Sequence, residues 1–230
     1  MAPGAFANGR PVVTVELVIA TVFDARLRVL LHRRAEPPFQ RTWALPVGVI
    51  DVHTGWQGEA IEETVRRTLL AHTGLAADAF RIEPLATFGR VGRDPRTRVI
   101  AIAWLAVLPP DRARAMDERA GSWSAIADDV PWMRLAFDHA EIIATGETRL
   151  QQAVRGDRAA LALVTEPFTV ADLRTVYDAV LGRRHDARNF RRRFQRMIDD
   201  GWVVQAPGTR HQGKSRPAHL WRAAKPRPDA

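Results

Sequence analysis

Residues 186–198 read DARNFRRRFQRMI, and this stretch has the clearest periodicity in the chain. Its apolar residues recur at helical spacing and fall on one side of a helix, whereas arginines four residues apart fall on the other side. No acidic residue lies between Asp186 and Asp199. Asp186 is a favourable N-cap residue, and Gly201 is a favourable stop signal. The stretch therefore predicts an amphipathic helix with an uninterrupted basic face.

The basic face of this helix carries side chains that are suited to DNA. Arginine and asparagine can recognise guanine and adenine edges in a major groove, and further arginines can hold phosphates. A solvated surface helix is the alternative, but such helices usually mix acids with bases to form pairs four residues apart. The residues of the helix that we expect to contact DNA are Arg188, Asn189, Arg191, Arg192, Gln195 and Arg196.

The flanking segments complete a winged helix-turn-helix domain over residues 167–222. Thr169 and Asp172 form a capping box that begins an earlier helix. After the basic helix, residues 202–205 and 218–222 have strand-like sequences, and the basic loop between them is broken by glycine and proline. This loop predicts a wing whose DNA-contacting residues are Arg210, Lys214 and Arg216.

The charge of the chain is concentrated in this C-terminal part. Residues 166–230 contain 12 Arg and 2 Lys against 7 Asp and Glu, a net charge of +7. Residues 1–165 contain 20 Arg against 19 Asp and Glu, a net charge of +1. A general preference for arginine does not explain why only one part lacks balancing acids. The asymmetry indicates a polyanionic partner for the C-terminal part, with double-stranded DNA as the leading candidate.

Residues 12–160 have the alternation of strands and helices that is typical of an α/β domain. A helical pattern runs from Gly58 to Gly74. A second helix begins at Asp138, which has the spacing of a capping box with Glu141. The predicted strands and short extended pieces cover residues 12–23, 28–33, 43–46, 47–50, 86–88 and 98–107. We expect the ends of the chain, residues 1–11 and 223–230, to be flexible.

The helical pattern after Gly58 resembles the Nudix box, a sequence motif of pyrophosphate hydrolases. The positions that match are Glu59, Arg67, Leu69, Gly74 and Leu75. Thr68, Ala71 and His72 stand where the box has glutamates. His53 stands where a glycine is expected and Gly48 lies five residues too early, which indicates an insertion in the preceding loop.

The missing glutamates bear directly on catalysis. Nudix hydrolases hold magnesium with carboxylates on one helical face, because this ion prefers oxygen ligands in octahedral geometry. A hydroxyl, a methyl group and one imidazole cannot replace that set, and Glu59 alone cannot hold a catalytic metal cluster. The sequence therefore predicts a domain with no metal site and no hydrolase activity. An ADP-ribose pyrophosphatase with non-standard metal ligands remains the enzymatic alternative.

The two parts together resemble one family, the Nudix-related transcriptional regulators of NAD metabolism, known as NrtR. The resemblance covers roughly residues 12–222 and rests on the order of a degenerate Nudix box and a basic helix. The stretches that carry it are Pro37-Pro38-Phe39, Trp43-Ala44-Leu45-Pro46, GRDPRTRV at 92–99, AFDHAEI at 136–142, Phe168-Thr169, Asn189-Phe190-Arg191-Arg192 and Arg216-Pro217-Ala218. The resemblance implies a Nudix-like α/β/α sandwich with a mixed sheet, followed by the winged helix.

The resemblance also implies a function. It points to a homodimeric repressor of NAD biosynthesis or salvage genes, bound to a near-palindromic operator and controlled by ADP-ribose or a related NAD-derived nucleotide. This nucleotide is an effector, and no cofactor is implied. An effector-independent DNA-binding protein, in which the Nudix-like domain only dimerises, is a further alternative.

Candidate effector-binding residues follow from the chemistry of such a nucleotide. Without magnesium, a diphosphate needs arginines or backbone amides, adenine needs an aromatic slot, and a ribose needs a hydrogen-bonding side chain. Core packing or turn formation is the alternative role for each candidate. The expected set is Trp43 and Phe88 for the base, Arg90, Arg93, Arg96 and Arg98 for the phosphates, and His139 for the ribose.

The composition excludes several other classes of protein. The chain has 230 residues, of which 46% are hydrophobic, enough for a sizeable core. It contains no cysteine, which excludes disulfides, thiol catalysis and cysteine-ligated metals. No apolar run approaches the roughly 18 residues of a membrane span, and no signal-peptide pattern is evident. We therefore expect a cytoplasmic protein without a membrane partner.

Overall fold

The computed structural model of this chain describes residues 11–53, 58–116, 121–156, 158–211 and 217–224. Part of the insertion before the Nudix box, part of the wing and the two ends of the chain lie outside these ranges. The expected flexible segments are therefore described only at Pro11, Ala223 and Ala224, and Ala223 is the last residue of a strand rather than part of a tail.

The strands form one mixed sheet of seven members and one hairpin. In the large sheet the order is β3-β2-β1-β6-β5, β4 also pairs with β1, and β7 pairs with β2. The pairing of β1 with β6 is parallel, and the other pairings are antiparallel. The strands are β1 (Val12–Phe23), β2 (Arg26–Arg33), β3 (Trp43–Ala44), β4 (Val47–Val49), β5 (Arg81–Phe88), β6 (Val99–Val107), β7 (Ser122–Ala125), β8 (Val203–Arg210) and β9 (Ala218–Ala223).

Helices cover both faces of the large sheet, which confirms the predicted α/β/α sandwich. Alternate residues of β1 point to opposite faces. Val15, Leu17 and Ile19 pack with α1, whereas Val18 and Ala20 pack with α3. Because both faces of β1 are covered, its interior is an almost continuous run of buried residues. The helices are α1 (Ile61–Thr73), α2 (Pro110–Arg114), α3 (His139–Gly156), α4 (Val170–Leu181) and α5 (Ala187–Asp199).

β5 and β8 extend several residues beyond their predicted bounds, and β-bulges explain both differences. β5 begins at Arg81 and not at residue 86, because a register shift after Pro84 accommodates the proline within the strand. β8 continues to Arg210 and does not end at residue 205. A second register shift lies between Ala206 and Thr209, where a proline and a glycine fall. β8 therefore includes residues 206–210 of the segment that was predicted to be a basic loop.

The capping box predicted at the start of α3 is wrong. The helix begins at His139, next to the expected residue. However, the Asp138 carboxylate accepts hydrogen bonds from the Arg93 guanidinium, and the Glu141 carboxylate lies 4.0 Å from the Arg90 guanidinium. Both carboxylates of the expected box therefore have long-range partners.

The C-terminal unit is a winged helix built from α4, α5 and the β8-β9 hairpin. Its predicted caps are present, since Thr169 and Asp172 form the capping box of α4, and the Asp186 side chain accepts from the backbone N–H of Asn189. Phe168 exchanges backbone hydrogen bonds of 2.9 and 2.8 Å with Trp221, which fixes the hairpin to the segment before α4.

The two units share one hydrophobic core. The segment between them forms a 3-10 helix, Arg158–Leu163, with several buried residues. Val176 and Tyr177 of α4 belong to the same buried cluster as Val29 of β2 and Leu150 of α3. The winged helix is therefore docked on the Nudix-like sandwich and is not separated from it by an exposed linker.

Candidate nucleic-acid interface and effector cleft

The α5 helix presents the predicted basic face to solvent. Phe190, Phe194 and Met197 are buried on its inner side. A shallow groove on the outer side is lined by residues that include Arg188, Arg192 and several others of the expected set. All six predicted helix residues are exposed, namely Arg188, Asn189, Arg191, Arg192, Gln195 and Arg196. The face can therefore approach a polyanion without rearrangement.

One arginine of α5 faces the protein instead. Arg193 lies half-buried, and its Nη2 donates hydrogen bonds of 2.7 Å to the carbonyl of Arg155 and 3.2 Å to that of Val154. Its guanidinium also lies 4.7 Å from the centre of the Tyr177 ring. Our sequence analysis did not assign this residue. Its position three residues after Phe190, on the apolar side of the helix, is the signal that could have identified it.

The wing residues are only partly described. Arg210 ends β8, and its guanidinium donates to the Asp172 carboxylate at 2.8 Å and to the carbonyl of Pro167 at 2.6 Å. It therefore holds the N-terminus of α4. The sequence instead predicted that this side chain would be free to contact DNA. Lys214 and Arg216 lie outside the described residues.

A cleft of about 240 Å³ opens where the neighbours of β1 diverge. One edge of β1 pairs with β4 at residues 14–16 and with β2 at residues 20–23, so the sheet is split near Glu16. The other sides of the cleft are closed by the segment between β5 and β6 and by Phe137. Its polar and aromatic lining consists of Thr14, Glu16, Arg34, Glu36, Arg93, Asp94, Arg96, Thr97 and Phe137.

The floor of the cleft is a buried cluster of charges. Arg93 Nη2 donates to both carboxylate oxygens of Glu16, at 2.9 and 3.0 Å, and Arg93 Nε donates to Asp138 at 2.9 Å. All three side chains are less than 5% exposed. Burial raises the pKa of Glu16 above its ordinary value, and the neighbouring Arg93 opposes this rise. Arg93, expected to bind phosphate, is thus already held by two carboxylates.

His139 lies behind this floor and is fully buried. Its Nδ1 accepts a hydrogen bond of 2.9 Å from the backbone N–H of Leu45, so the ring proton is on Nε2, which lies 3.4 Å from Glu16. Burial, together with the nearby Arg93, lowers the pKa of His139 to about 3. The imidazole is therefore neutral, and it does not belong to the lining of the cleft, where a ribose was expected to meet it.

The rim of the cleft carries two further guanidinium groups beside an aromatic ring. Arg96 forms two hydrogen bonds of 3.0 and 2.6 Å with the Asp94 carboxylate. Arg34 donates to the carbonyls of Pro38 and Glu36. Both guanidiniums lie beside the Phe137 ring, at 5.9 Å for Arg96 and 4.8 Å for Arg34.

Of these cleft residues, the sequence analysis identified only Arg93 and Arg96. The signal for Glu16 was available, because it is a single acid within an apolar strand. Phe137 stood in a quoted motif, next to Asp138, but was not assigned. No local pattern marked Arg34.

The other expected effector residues lie outside the cleft. Trp43 stacks against Arg33 at 4.6 Å and lines a separate groove with the exposed Trp132. Phe88 packs against the large core. Arg98 donates to the carbonyl of Gly89 at 2.6 Å, and the exposed Arg90 lies beside Glu141. The structure therefore does not bring the predicted set together.

The degenerate Nudix helix has no free carboxylate on the expected face. Glu59 accepts hydrogen bonds of 2.9 and 2.7 Å from Arg67 and one of 2.9 Å from Thr64, and the hydrogen bond from Arg67 is the main reason that its pKa falls to about 2. Thr68 is buried and donates to the carbonyl of Thr64. A Cβ on Gly48 would lie 2.0 Å from the Oγ1 of Thr68. The backbone of β4 therefore covers the Thr68 side chain.

The remaining positions of the helix offer little to a metal. His72 is half-buried beside His32, with ring centres 5.0 Å apart. Among the described residues, no group of three or more histidines, aspartates or glutamates could hold a metal ion. The same residues include no helix that is long and apolar enough to span a lipid bilayer.

The fold and the two surfaces define a winged-helix DNA-binding protein that carries a Nudix domain. Residues 14–144 match the NUDIX domain family, and residues 160–223 match the NrtR DNA-binding winged helix domain. With both domains in this order, the chain belongs to the NrtR family.

Several relatives extend this comparison. The chain is 29% identical over 216 residues to the ADPR (ADP-ribose) responsive transcriptional repressor NtrR of Acinetobacter baylyi, covering 93% of this chain and 82% of that protein. The structure of Shewanella oneidensis NrtR bound to a 27mer DNA is similar with a TM-score of 0.78 and 30% identity, covering 92% of this chain and 93% of that chain.

Two further relatives concern the Nudix domain alone. The NUDIX domain of Shewanella oneidensis NrtR, in complex with ADP ribose, matches with a TM-score of 0.53 and 34% identity, covering 65% of this chain and 94% of that one. An ADP-ribose pyrophosphatase of Methanocaldococcus jannaschii is 31% identical over 116 residues, which is 50% of this chain and 63% of that enzyme. The domain is thus similar both to a Nudix domain that was solved in complex with ADP ribose and to an ADP-ribose pyrophosphatase.

Proposed function

We propose that this protein is a transcriptional repressor that binds operator DNA through α5 and releases it when ADP-ribose or a related nucleotide occupies the cleft. The observation that carries the proposal is the exposed basic face of α5, docked through a shared core onto a domain with a polar cleft. Two relatives support it: one is an ADP-ribose responsive repressor, and the other is a Nudix domain in complex with ADP ribose. Genes of NAD biosynthesis or salvage are the proposed targets.

The composition of the cleft favours a nucleotide-sugar over a bare polyphosphate. Arg34 and Arg96 are the guanidiniums nearest the opening, and they can contact a diphosphate. The carboxylates of Glu16 and Asp94 are suited to accepting hydrogen bonds from ribose hydroxyls, and the Phe137 ring is suited to a base. The lining contains as many acids as arginines. ADP-ribose, with two riboses and only two phosphates, fits this balance better than a triphosphate.

The Nudix domain of this protein senses its ligand without cleaving it. Glu59 is held by Arg67, and Thr68 is covered by β4, so neither can serve as a magnesium ligand without rearrangement. Hydrolysis of the pyrophosphate by this family of folds requires a metal held by several carboxylates. We therefore assign no metal, no cofactor and no catalytic residue to the domain.

The repressor acts as a homodimer on a near-palindromic site in the cytoplasm. One recognition helix reads only a few base pairs, and two helices related by a two-fold axis read two half-sites about one helical turn apart. Arg188, Asn189, Arg191, Arg192, Gln195 and Arg196 supply the contacts of each helix. Lys214 and Arg216 supply phosphate contacts from the wing.

The experiment that tests this function begins by selecting bound DNA from a random pool. A labelled duplex of the selected sequence is then titrated with the protein, and ADP-ribose, NAD and ATP are added separately to the preformed complex. We expect ADP-ribose to weaken DNA binding at least tenfold and ATP to have little effect. A complex that none of the three nucleotides affects would favour an effector-independent DNA-binding protein and would contradict the proposal.

A further inference from the structure

The α3 helix connects the effector cleft to the recognition helix. It contains 18 residues and is therefore about 27 Å long. Phe137, two residues before its first turn, lines the cleft, and Asp138 belongs to the buried charge cluster of the floor. At the opposite end, the carbonyls of Val154 and Arg155 accept hydrogen bonds from Arg193 of α5. The two ends of α3 thus adjoin the effector cleft and the inner side of the recognition helix.

The cleft end of α3 is bonded directly to a residue that lines the cleft. Arg93 lines the cleft and also bonds to Asp138, the residue that precedes the helix. It is shared by two buried carboxylates, and no second guanidinium or ammonium group bonds to either of them among the described residues. A ligand that contacts Arg93 or Phe137 therefore acts directly on the start of α3.

Within the described part of the chain, Arg193 is the side chain of α5 that donates hydrogen bonds to the far end of α3. The last carbonyls of a helix have no intrahelical partners, and a positive group beside them is stabilised by the helix dipole. Arg193 satisfies two of these carbonyls and packs on Tyr177 of α4. The Arg193 side chain is therefore the polar contact through which a shift of α3 reaches the recognition helix.

We propose that Arg193 is the positioning residue that couples the effector cleft to DNA binding. It does not read DNA; it holds the α5 helix at an angle set by the end of α3. This inference rests on the proposed function, because it requires an effector that weakens DNA binding. Coupling of this kind is a free energy between two sites and is measured as a ratio of affinities.

The test compares that ratio between the wild-type protein and variants. The ratio is the dissociation constant for the selected DNA at saturating ADP-ribose divided by the constant without ADP-ribose. For Arg193→Gln we expect the ratio to fall at least about fivefold, within the usual range of coupling energies. The affinity of the DNA-free protein for ADP-ribose should remain within about twofold, because Arg193 lies far from the cleft.

Two further variants separate coupling from general damage. Arg193→Lys keeps a positive donor beside the carbonyls and should retain part of the coupling. Arg193→Met keeps an unbranched stem on Tyr177 and should lose the coupling as fully as Arg193→Gln, which makes it the replacement if that variant unfolds. Arg196→Gln is the matched control on the exposed face. It should weaken DNA binding but leave the ratio unchanged.

The outcomes distinguish this inference from the function on which it rests. A wild-type protein whose DNA affinity does not respond to ADP-ribose would overturn the proposed function and the inference with it. A wild-type protein that responds, together with folded Arg193→Gln and Arg193→Met variants that respond equally, would overturn the inference alone. A ratio that falls at least about fivefold in both Arg193→Gln and Arg193→Met, and falls less in Arg193→Lys, would support the inference.

Discussion

The arginines of the cleft and those of the recognition helix lie in opposite electrostatic settings. In the cleft, Arg93 and Arg96 are each bonded to carboxylates. On α5, the exposed arginines face solvent on a helix whose residues from Ala187 to Ile198 include no acid. The same side chain thus builds a balanced pocket in one domain and an unbalanced surface in the other. The difference shows that arginine content alone does not distinguish a surface for a polyanion from a pocket of balanced charge; the distribution of acids does.

The largest expected difference between the two regions is their response to salt. If α5 and the wing neutralise about six to eight phosphates, log K for DNA should fall with log salt at a slope of about −5 to −7. The affinity should then drop about 10³- to 10⁴-fold between 50 and 200 mM salt. ADP-ribose binding in the balanced cleft should change far less. Equal slopes for DNA and ADP-ribose, measured by titration over this range, would contradict the comparison.

The next effect concerns the buried cluster of the cleft floor. Arg93→Ala would leave Glu16 and Asp138 buried without their guanidinium, and breaking a buried ion pair in this way costs about 3–5 kcal/mol. Arg26→Ala is the control, because its pair with Asp128 is half-exposed and such pairs contribute about 1 kcal/mol or less. Urea unfolding measures both. Equal losses in the two variants would show that the floor is not held by Arg93.

A smaller change in DNA affinity distinguishes an arginine that contacts bases from one that stabilises the winged helix. Arg192→Ala should weaken binding to the selected DNA by about 1–3 kcal/mol and binding to random DNA much less, because a bidentate base contact is lost. Arg210→Ala should weaken both DNAs alike, since this side chain is bonded to Asp172 and Pro167. Anisotropy titrations with the two DNAs distinguish these patterns. A sequence-independent loss for Arg192→Ala would mean that α5 meets DNA in another orientation.

The smallest predicted effect is a pH dependence from the cleft region. Burial lowers the pKa of His139 from 6.5 to about 3, so its contribution to stability is present above pH 6.5 and is lost as the pH falls towards 3. Between pH 6.5 and 5 the loss of this contribution lowers the free energy of unfolding by about 1–2 kcal/mol. His139→Gln should flatten that part of the profile, measured by urea unfolding at each pH. An unchanged slope would assign the dependence to other groups, such as His32.

The sequence predicted those parts of the fold and site that depend on local patterns. The β-branched run of β1, the period of α1 with its stop at Gly74, and the caps of α4 and α5 are all present as expected. The exposed arginines of α5 followed from the same periodicity. Each of these features is determined within a few neighbouring residues.

The features that the sequence did not predict depend on bonds between residues that are distant in sequence. Arg93 bonds to Glu16, 77 residues away, and to Asp138, 45 residues away. Arg210 bonds to Asp172, 38 residues away. No local pattern shows which arginine will meet a buried carboxylate and which will remain exposed. The sequence therefore listed four arginines for the effector, while the fold placed only two of them in the cleft.

We propose above that the Nudix domain senses ADP-ribose and does not cleave it. The most direct measurement adds ADP-ribose with Mg²⁺ or Mn²⁺ to the preformed complex with the selected DNA. Release of DNA is followed by anisotropy, and the nucleotide is analysed by chromatography after the same incubation. We expect that DNA is released and that ADP-ribose is recovered intact. Accumulation of AMP at a rate that increases with protein concentration would contradict it.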